Sequence, residues 1–295
     1  MAVMTEIRDA ITHLASEIGP SLVGVGHRWG VGSGVVFAPG KVLTNAHNVR
    51  GAEVTIAFSD GRTETGSVAG IDVDGDIAVI AVDTKGSPAV RWSSDEGPSI
   101  GTPVFALANP GGRGLRVTVG LVSGTARSFR GPRGRRISGS LEHTAPLLPG
   151  SSGGPIVDED GTLLGLNTNR LGDGFYLAIP ADATLRARVD ALGRGEAPER
   201  PRLGVAIAPA QVARRLRRAV GLPEAEGLLV RAVEDDSPAA HAEIREGDLI
   251  VKAGDTPVGD VDDLHAALDA LQSGATLTLT VLRGMEERRV TVAFA

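Results

Sequence analysis

The chain has 295 residues, of which 42% are hydrophobic and 22% charged, so its composition is that of a folded globular protein and its length exceeds one typical domain. The net charge of −6 disfavours a general nucleic-acid binder or membrane-surface binder. The absence of cysteine excludes disulfides, a thiol nucleophile and thiolate metal sites.

The chain is predicted to begin with a short amphipathic helix. Ile7, Ile11, Leu14 and Ile18 recur at helical spacing, without the long apolar run of a signal peptide. No segment is long and apolar enough to cross a bilayer. The sequence therefore favours a soluble chain, cytoplasmic as read, and periplasmic or otherwise extracytoplasmic if a leader has been removed.

A series of short strands follows this helix. Forty glycines, together with Pro-Gly, Asp-Gly and Gly-Gly steps, predict tight turns between β-branched runs. The runs include Gly34–Phe37, Val54–Phe58, Ile77–Val82, Val104–Ala108, Val117–Ser123, Ile156–Val157 and Leu163–Asn167. Because no long helix separates them, they indicate a closed barrel or a sandwich, not a parallel α/β sheet.

Five arginines interrupt this series between two apolar segments. A solvated loop is the leading interpretation, and a surface for an acidic partner or substrate is the second. The five are Arg127, Arg130, Arg133, Arg135 and Arg136.

The second part of the chain has a different pattern. Helical periodicity returns at 181–192, and the polar stretch 193–201 is typical of a linker. Beyond it, strands are predicted at Gly227–Ala232, Asp248–Ala253, Thr276–Arg283 and Arg288–Ala293, with a helix over about Val261–Leu271. The sequence predicts a mainly β domain at 1–192 and a small α+β domain at 202–295.

A glycine-rich turn with serine, Gly150-Ser-Ser-Gly-Gly154, precedes the strand near Ile156. A serine nucleophile needs a base, and the oxyanion it creates needs converging N–H donors, which a glycine-rich turn can supply. A flexible Gly/Ser linker is an equal alternative for this segment alone. The elbow of an α/β-hydrolase is disfavoured, because Pro155 and the turn at 158–161 break the helix that it requires.

The candidate base and acid lie upstream of that turn. His47 follows an apolar strand end, and Asp76 begins the apolar run Asp76–Ile80. The order His, Asp, Ser is that of chymotrypsin-type proteases, not of subtilisin or the α/β-hydrolases. A calcium loop at 72–76 is the disfavoured alternative, because its glycine is out of register for an EF-hand.

The sequence resembles the HtrA (Deg) family of trypsin-like serine proteases with PDZ domains. The resemblance covers nearly the whole chain. It rests on Gly32-Ser-Gly-Val-Val-Phe37, Leu43-Thr-Asn-Ala-His47, Asp76-Ile-Ala-Val79, Ala108-Asn-Pro-Gly-Gly112, Val117-Thr-Val-Gly120, Pro149-Gly-Ser-Ser-Gly-Gly154, Gly165-Leu-Asn-Thr168 and Phe175-Tyr-Leu-Ala-Ile-Pro180. Ser151 and Gly111 depart from the family pattern, which commonly has Asn and a nearby Phe there.

The resemblance implies a chymotrypsin-like double β-barrel with a catalytic triad. Under it, His47 is the general base, Asp76 orients His47, and Ser152 is the nucleophile. The amides of Gly150 and Ser152 form the oxyanion hole, and the arginine-rich segment aligns with a regulatory loop that switches this hole.

The resemblance also implies an S1 pocket formed by apolar side chains. They are Pro146, Leu147, Leu177 and Ile179. Without an acid to pair with Arg or Lys, such a pocket predicts cleavage after small or medium aliphatic residues.

The C-terminal unit resembles a PDZ domain that binds peptide C-termini. Leu203, Gly204 and Val205 match the carboxylate-binding loop, whose free amides can capture a terminal carboxylate while the peptide adds as a strand. Leu264 is a weaker candidate for the groove, since packing in the domain core explains it equally well.

The resemblance implies a quality-control endopeptidase that acts on unfolded or misfolded proteins, and it suggests a homotrimer. No metal or other cofactor is expected, and neither nucleic acid nor a membrane segment is implied. A non-catalytic PDZ scaffold or chaperone on a protease fold is the alternative.

Overall fold

The computed structural model describes residues 2–26, 32–93, 97–132, 134–196, 201–208, 210–271 and 274–294. The chain divides into two compact units, Met1–Pro198 and Glu199–Ala295. The predicted linker at 193–201 spans this division, and residues 197–200 of it lie outside the described part. Within the described residues, no helix combines the length and the apolar character needed to cross a bilayer.

The first unit opens with helix α1 (Ala2–Glu17) and a closed barrel of six strands. The strands are β1 (Leu22–Val25), β2 (Gly32–Ala38), β3 (Lys41–Thr44), β4 (Glu53–Phe58), β5 (Thr63–Asp72) and β6 (Ile77–Ala81). They follow the order β1-β2-β3-β6-β5-β4, and β1 pairs with β4 to close the barrel. Successive residues of β6 are buried on alternate faces, Val79 outside the barrel and Ile80 inside it, which explains its unbroken apolar sequence.

A second sheet follows in the same unit. Its strands are β7 (Arg91–Trp92), β8 (Pro103–Ala108), β9 (Arg116–Arg130), β10 (Arg136–His143), β11 (Pro155–Val157), β12 (Thr162–Gly172) and β13 (Phe175–Pro180). They lie in the order β11-β8-β9-β10-β13-β12-β7, and β11 also pairs with β12, which closes six of them into a second barrel.

One apolar cluster joins the two barrels to their helices. It contains Leu14 and Ile18 from the N-terminal end, Val79 from the first barrel and Leu107 from the second. Helix α2 (Ala183–Gly193) packs its buried Leu185, Val189 and Leu192 into the same cluster, and the side chain of Asp182 caps its N-terminus. The predicted mainly β architecture is confirmed.

The arginine-rich segment is a β-hairpin, so the expectation of a solvated loop was wrong. Arg127 and Arg130 lie in β9, and Arg136 opens β10 opposite Arg130. The pairing of β9 with β10 extends beyond the apolar part of β9. It does so because Phe129 is buried in the cluster between the barrels, while Arg130 beside it faces outward. The side chain of Arg135 is also buried, and Arg133 lies outside the described residues.

The second unit is the predicted α+β unit. Its five-strand path follows the order β14-β15-β16-β18-β19, and the short strand β17 pairs with β16. The strands are β14 (Val205–Ala208), β15 (Leu228–Val233), β16 (Leu249–Ala253), β17 (Thr256–Pro257), β18 (Thr276–Arg283) and β19 (Glu286–Ala293). Its helices are α3 (Ala210–Ala219), α4 (Pro238–His241) and α5 (Val261–Asp269).

Helix α3 was not predicted from sequence periodicity, because most of its apolar side chains are small and arginines separate them. It identified α5, which starts at a reciprocal capping box between Asp260 and Asp263.

Candidate active site

His47 and Asp76 lie in hydrogen-bonding contact in the first barrel. The Nδ1 atom of His47 is 2.9 Å from both carboxylate oxygens of Asp76, and the backbone N–H of His47 donates to Asp76 Oδ1 at 3.1 Å. Because a carboxylate only accepts, Nδ1 carries the proton and Nε2 is left as the basic nitrogen. Asp76 is 1% exposed, whereas the imidazole side chain is 37% exposed.

The backbone of Asp76 is held in an unusual conformation. Its φ is +55°, in the left-handed region that side chains other than Asn and Asp seldom adopt. The side-chain amide of Asn45 donates to the Asp76 carbonyl at 3.0 Å, which restrains this conformation. The turn that begins β6 therefore aims the carboxylate at His47.

Thr168 of the second barrel completes the surroundings of this carboxylate. Its hydroxyl donates to Asp76 Oδ2 at 2.6 Å. Sequence reasoning assigned Thr168 no role, although the residue lies in the quoted segment Gly165–Thr168. Only the pairing of distant strands brings Thr168, 92 positions away, next to Asp76.

Ser152 lies in the same cleft as His47 and Asp76. Its hydroxyl donates to the carbonyl of Thr168 at 2.9 Å. Within the described residues, no hydrogen bond joins this hydroxyl to His47. The three side chains line one cavity of about 470 Å³.

The loop that carries Ser152 is bound to the first barrel through its carbonyl groups. The carbonyl of Ser152 accepts from the backbone N–H of Ser33 at 2.9 Å and from the Asn48 amide at 2.9 Å, and the carbonyl of Gly150 accepts from the Ser33 hydroxyl at 2.8 Å. A Cβ at Gly153, where φ is +84°, would lie 2.1 Å from the Ser33 carbonyl oxygen. Only glycine fits there, which explains one of the glycines in the motif.

Two amides of this loop have no acceptor. Across the described residues, the N–H groups of Gly150 and Ser152 donate to none, while Ser151 donates to Leu148 and Gly153 to Asn167. Because the carbonyls of this turn bind the first barrel, two nearby N–H groups remain available as donors.

The walls of the cleft differ from the predicted S1 pocket. Leu147 lines the cleft, but Pro146 does not. Leu177 and Ile179 are 0% and 6% exposed in the cluster between the barrels. Because side chains alternate along β13, Tyr176 lines the cleft while Leu177 points to the opposite face.

Leu203 and Gly204 of the second unit leave their amides unengaged. Among the described residues, neither N–H has an acceptor, and their carbonyls accept from Ala239 and Glu234. Val205 begins β14, an edge strand of the sheet. Gly204 has φ +78°, and a Cβ there would lie 2.2 Å from the Cβ of Ser237, so only glycine is accommodated. Leu264 is 2% exposed and packs in the core of this unit.

The carboxylates at 72–76 have partners other than a metal. Asp72 Oδ1 accepts from the Gly75 amide at 2.9 Å and Asp72 Oδ2 lies 3.6 Å from Arg188, while Asp74 faces Arg135 at 3.9 Å. In the described part of the chain, no group of three His, Asp or Glu side chains is placed to hold a metal ion.

His143 is buried beneath the cleft. Its Nε2 lies 3.0 Å from Asn167 Oδ1, and its ring stacks on Tyr176 with 5.8 Å between centroids. Burial lowers the pKa of His143 to about 4, against the opposing effect of the hydrogen bond to Asn167. Because Asn167 also exchanges backbone hydrogen bonds with Gly153 and Gly154, a neutral His143 supports the loop that carries Ser152.

Comparison with known proteins places this geometry in a family. Residues 32–166 match the trypsin-like peptidase domain, and residues 201–294 match the PDZ domain. The putative serine protease HhoA of Synechocystis is 34% identical over 280 residues, which cover 90% of this chain and 71% of that protein. The HtrA-type protease AlgW, solved with a decapeptide, is 25% identical with a TM-score of 0.71, covering 96% of this chain and 97% of that one.

The chain belongs to the HtrA family of trypsin-like serine proteases. A further relative, the putative serine protease HhoB of Synechocystis, is 33% identical over 89% of this chain and 66% of its own length. The serine endoprotease of Yersinia pestis has a TM-score of 0.70 at 27% identity, covering 96% of each chain. This HtrA chain spans between about half and 71% of the length of its curated relatives.

The buried His143 predicts that this member of the HtrA family loses stability in mild acid. The unfolded chain binds a proton near the ordinary His pKa of about 6.5, whereas the folded chain binds it only near pH 4. The contribution of this group is therefore complete above about pH 6.5 and is lost as pH falls toward 4, by about 3 kcal/mol. Urea unfolding at several pH values, followed by tryptophan fluorescence, measures it in the first unit, since both tryptophans lie there.

The control is a comparison of two variants. His143→Gln should lose less unfolding free energy than the wild type between pH 7 and 4, while His13→Gln, at an exposed site, should follow the wild type. Equal pH slopes for the wild type and His143→Gln would refute the assignment.

Proposed function

We propose that the chain is a serine endopeptidase that hydrolyses peptide bonds of unfolded or damaged proteins. The proposal rests on one arrangement, in which the paired His47 and Asp76 share a cleft with Ser152 and two unengaged amides. The alternative, a non-catalytic PDZ scaffold or chaperone on this fold, is not favoured because it has no use for this arrangement.

The reaction begins when the Ser152 hydroxyl turns from Thr168 toward His47. Nε2 takes its proton while Oγ attacks the scissile carbonyl carbon, and Asp76 stabilises the resulting imidazolium through Nδ1–H. The N–H groups of Gly150 and Ser152 bind the oxyanion. His47 returns the proton to the leaving amine, and water then hydrolyses the acyl-enzyme by the same steps.

The cleft supports an apolar residue at the cleavage position. Leu147 and Tyr176 line it beside Ser152, and we retain the preference for small or medium aliphatic residues with Tyr176 in place of the buried Leu177 and Ile179. Pro146, which does not line the cleft, is left out of this set.

The second unit is proposed to bind peptide C-termini. A terminal carboxylate accepts from the amides of Leu203 and Gly204, and the peptide pairs with the edge strand β14. Leu264 acts from the core by supporting α5, because its side chain is buried.

Two further expectations remain predictions for this chain. The homotrimer rests on the family resemblance. The compartment predicted from the sequence is cytoplasmic, whereas curated relatives have names that include periplasmic or chloroplastic.

Ser152→Ala should lower kcat on an unfolded protein such as casein by about 10⁴-fold or more, because the nucleophile is lost. Ser99→Ala, an exposed serine outside the cleft, is the matched control and should retain full activity. Labelling with a fluorophosphonate, followed by peptide mapping, should modify Ser152 alone. Equal casein hydrolysis by the wild type and Ser152→Ala would refute the proposal.

Gly204→Ala should weaken peptide binding to the second unit by at least about 10-fold, because the added Cβ displaces the loop from Ser237 and strains its backbone. Fluorescence polarisation with a labelled decapeptide that ends in an apolar residue and a free carboxylate measures the affinity. Gly259→Ala is the control, since its Cβ meets nothing closer than 3.6 Å. An amidated peptide that binds the wild type as tightly as the free acid would contradict carboxylate capture.

A further inference from the structure

The cleft lining carries two positive charges that the proposed triad and oxyanion hole do not use. Two arginines line it, Arg130 from the hairpin of β9 and β10 and Arg170 from β12. Among the described residues that line it, the one carboxylate is Asp76, which is buried and already accepts from His47 and Thr168. An approaching substrate therefore meets two cations in the cleft lining, although the whole chain has a net charge of −6.

Arg170 is the cation whose surroundings best suit substrate recognition. Its side chain is exposed, and its guanidinium carbon lies 5.8 Å from the centroid of the Tyr176 ring. Tyr176 is 6% exposed and stacks on the buried His143, so the ring forms a fixed support for the guanidinium. Contact with the ring limits the side-chain freedom that would otherwise be lost when a ligand binds.

Arg170 has no carboxylate partner among the described residues. Two other arginines of this unit have a carboxylate partner. Arg127 lies 3.2 Å from Glu142, and Arg135 lies 3.9 Å from Asp74. The planar guanidinium of Arg170 thus remains available for the two-point hydrogen bonding that it makes with carboxylates.

The position of Arg170 relative to Ser152 sets which part of a substrate it can reach. The carbonyl of Thr168 accepts from the Ser152 hydroxyl, and Arg170 is two residues further along β12. This separation is at most about 7 Å, because the bulge in β12 shortens the regular rise of about 3.3 Å per residue, and it is no more than two residues of an extended peptide. The guanidinium can therefore contact a substrate side chain within two or three residues of the scissile bond. This side chain differs from the one that packs against the apolar wall at Leu147.

We propose that Arg170 selects substrates that carry Asp or Glu within two or three residues of the cleaved bond. This inference rests on the proposed endopeptidase function and adds a specificity determinant to it. Arg130 contributes charge of the same sign from the facing hairpin. Because Arg170 is solvent-exposed, the expected preference is moderate, about 3- to 5-fold in kcat/KM for Glu over Gln.

The test uses internally quenched decapeptides that share one cleavage site. Glu, Gln or Lys replaces a residue at each of three positions on either side of that bond. At one position, wild type should cleave the Glu peptide about 3- to 5-fold faster than the Gln peptide, and the ratio should shrink between 0.05 and 0.5 M salt.

Variants assign the preference to a residue. Arg170→Gln should reduce the Glu to Gln ratio to about 1, and Arg170→Glu should favour Lys. Fluorophosphonate labelling of Ser152 in both variants shows that the catalytic site is intact. Arg116→Gln removes an exposed arginine outside the cleft and should keep the wild-type ratio.

The outcomes separate the two proposals. Cleavage of all peptides with no charge preference, or a preference that survives in Arg170→Gln, overturns the role of Arg170 and leaves the endopeptidase proposal standing. If the wild type cleaves no peptide and Ser152 takes no fluorophosphonate, both proposals fail.

Discussion

The buried carboxylate of Asp76 is the contact on which the rest of the site depends. It accepts from both N–H groups of His47 in the first barrel and from the hydroxyl of Thr168 in the second. These donors replace the water that an isolated buried charge would lose, and they come from both sides of the cleft. The positive φ of Asp76 is a local strain of order 1–3 kcal/mol that this bonding offsets.

In the loop that carries Ser152, the backbone carbonyls and the backbone amides have different roles. Its carbonyls bind Ser33 and Asn48, so the first barrel fixes the loop while the amides of Gly150 and Ser152 stay available. Beneath it, the neutral His143 holds Asn167 on one side and Tyr176 on the other. The buried imidazole of His143 therefore supports both the loop that carries Ser152 and the Tyr176 ring that Arg170 contacts.

Local patterns predicted a mainly β first unit and an α+β second unit, while the double barrel was implied by the family resemblance. The patterns also singled out His47, Asp76 and Ser152, because each stands at a strand end or turn that its neighbours define. Thr168, Tyr176 and Arg170 were missed because strand pairing across long separations brings them to the cleft. Leu177 and Ile179 were assigned to the pocket because the sequence does not reveal which face of β13 is turned to it, and the register of β12 and β13 is shifted at bulges. The arginine hairpin was read as a loop because its charges hide the alternation around Phe129.

The measurement that tests the central role of Asp76 most directly is the kcat of Asp76→Asn on a peptide substrate. The side chain keeps its size, but an amide no longer fixes the proton on Nδ1 or stabilises the imidazolium, so kcat should fall by about 10⁴-fold while the near-UV circular dichroism stays unchanged. A folded variant whose kcat lies within about 10-fold of the wild-type value would contradict the account.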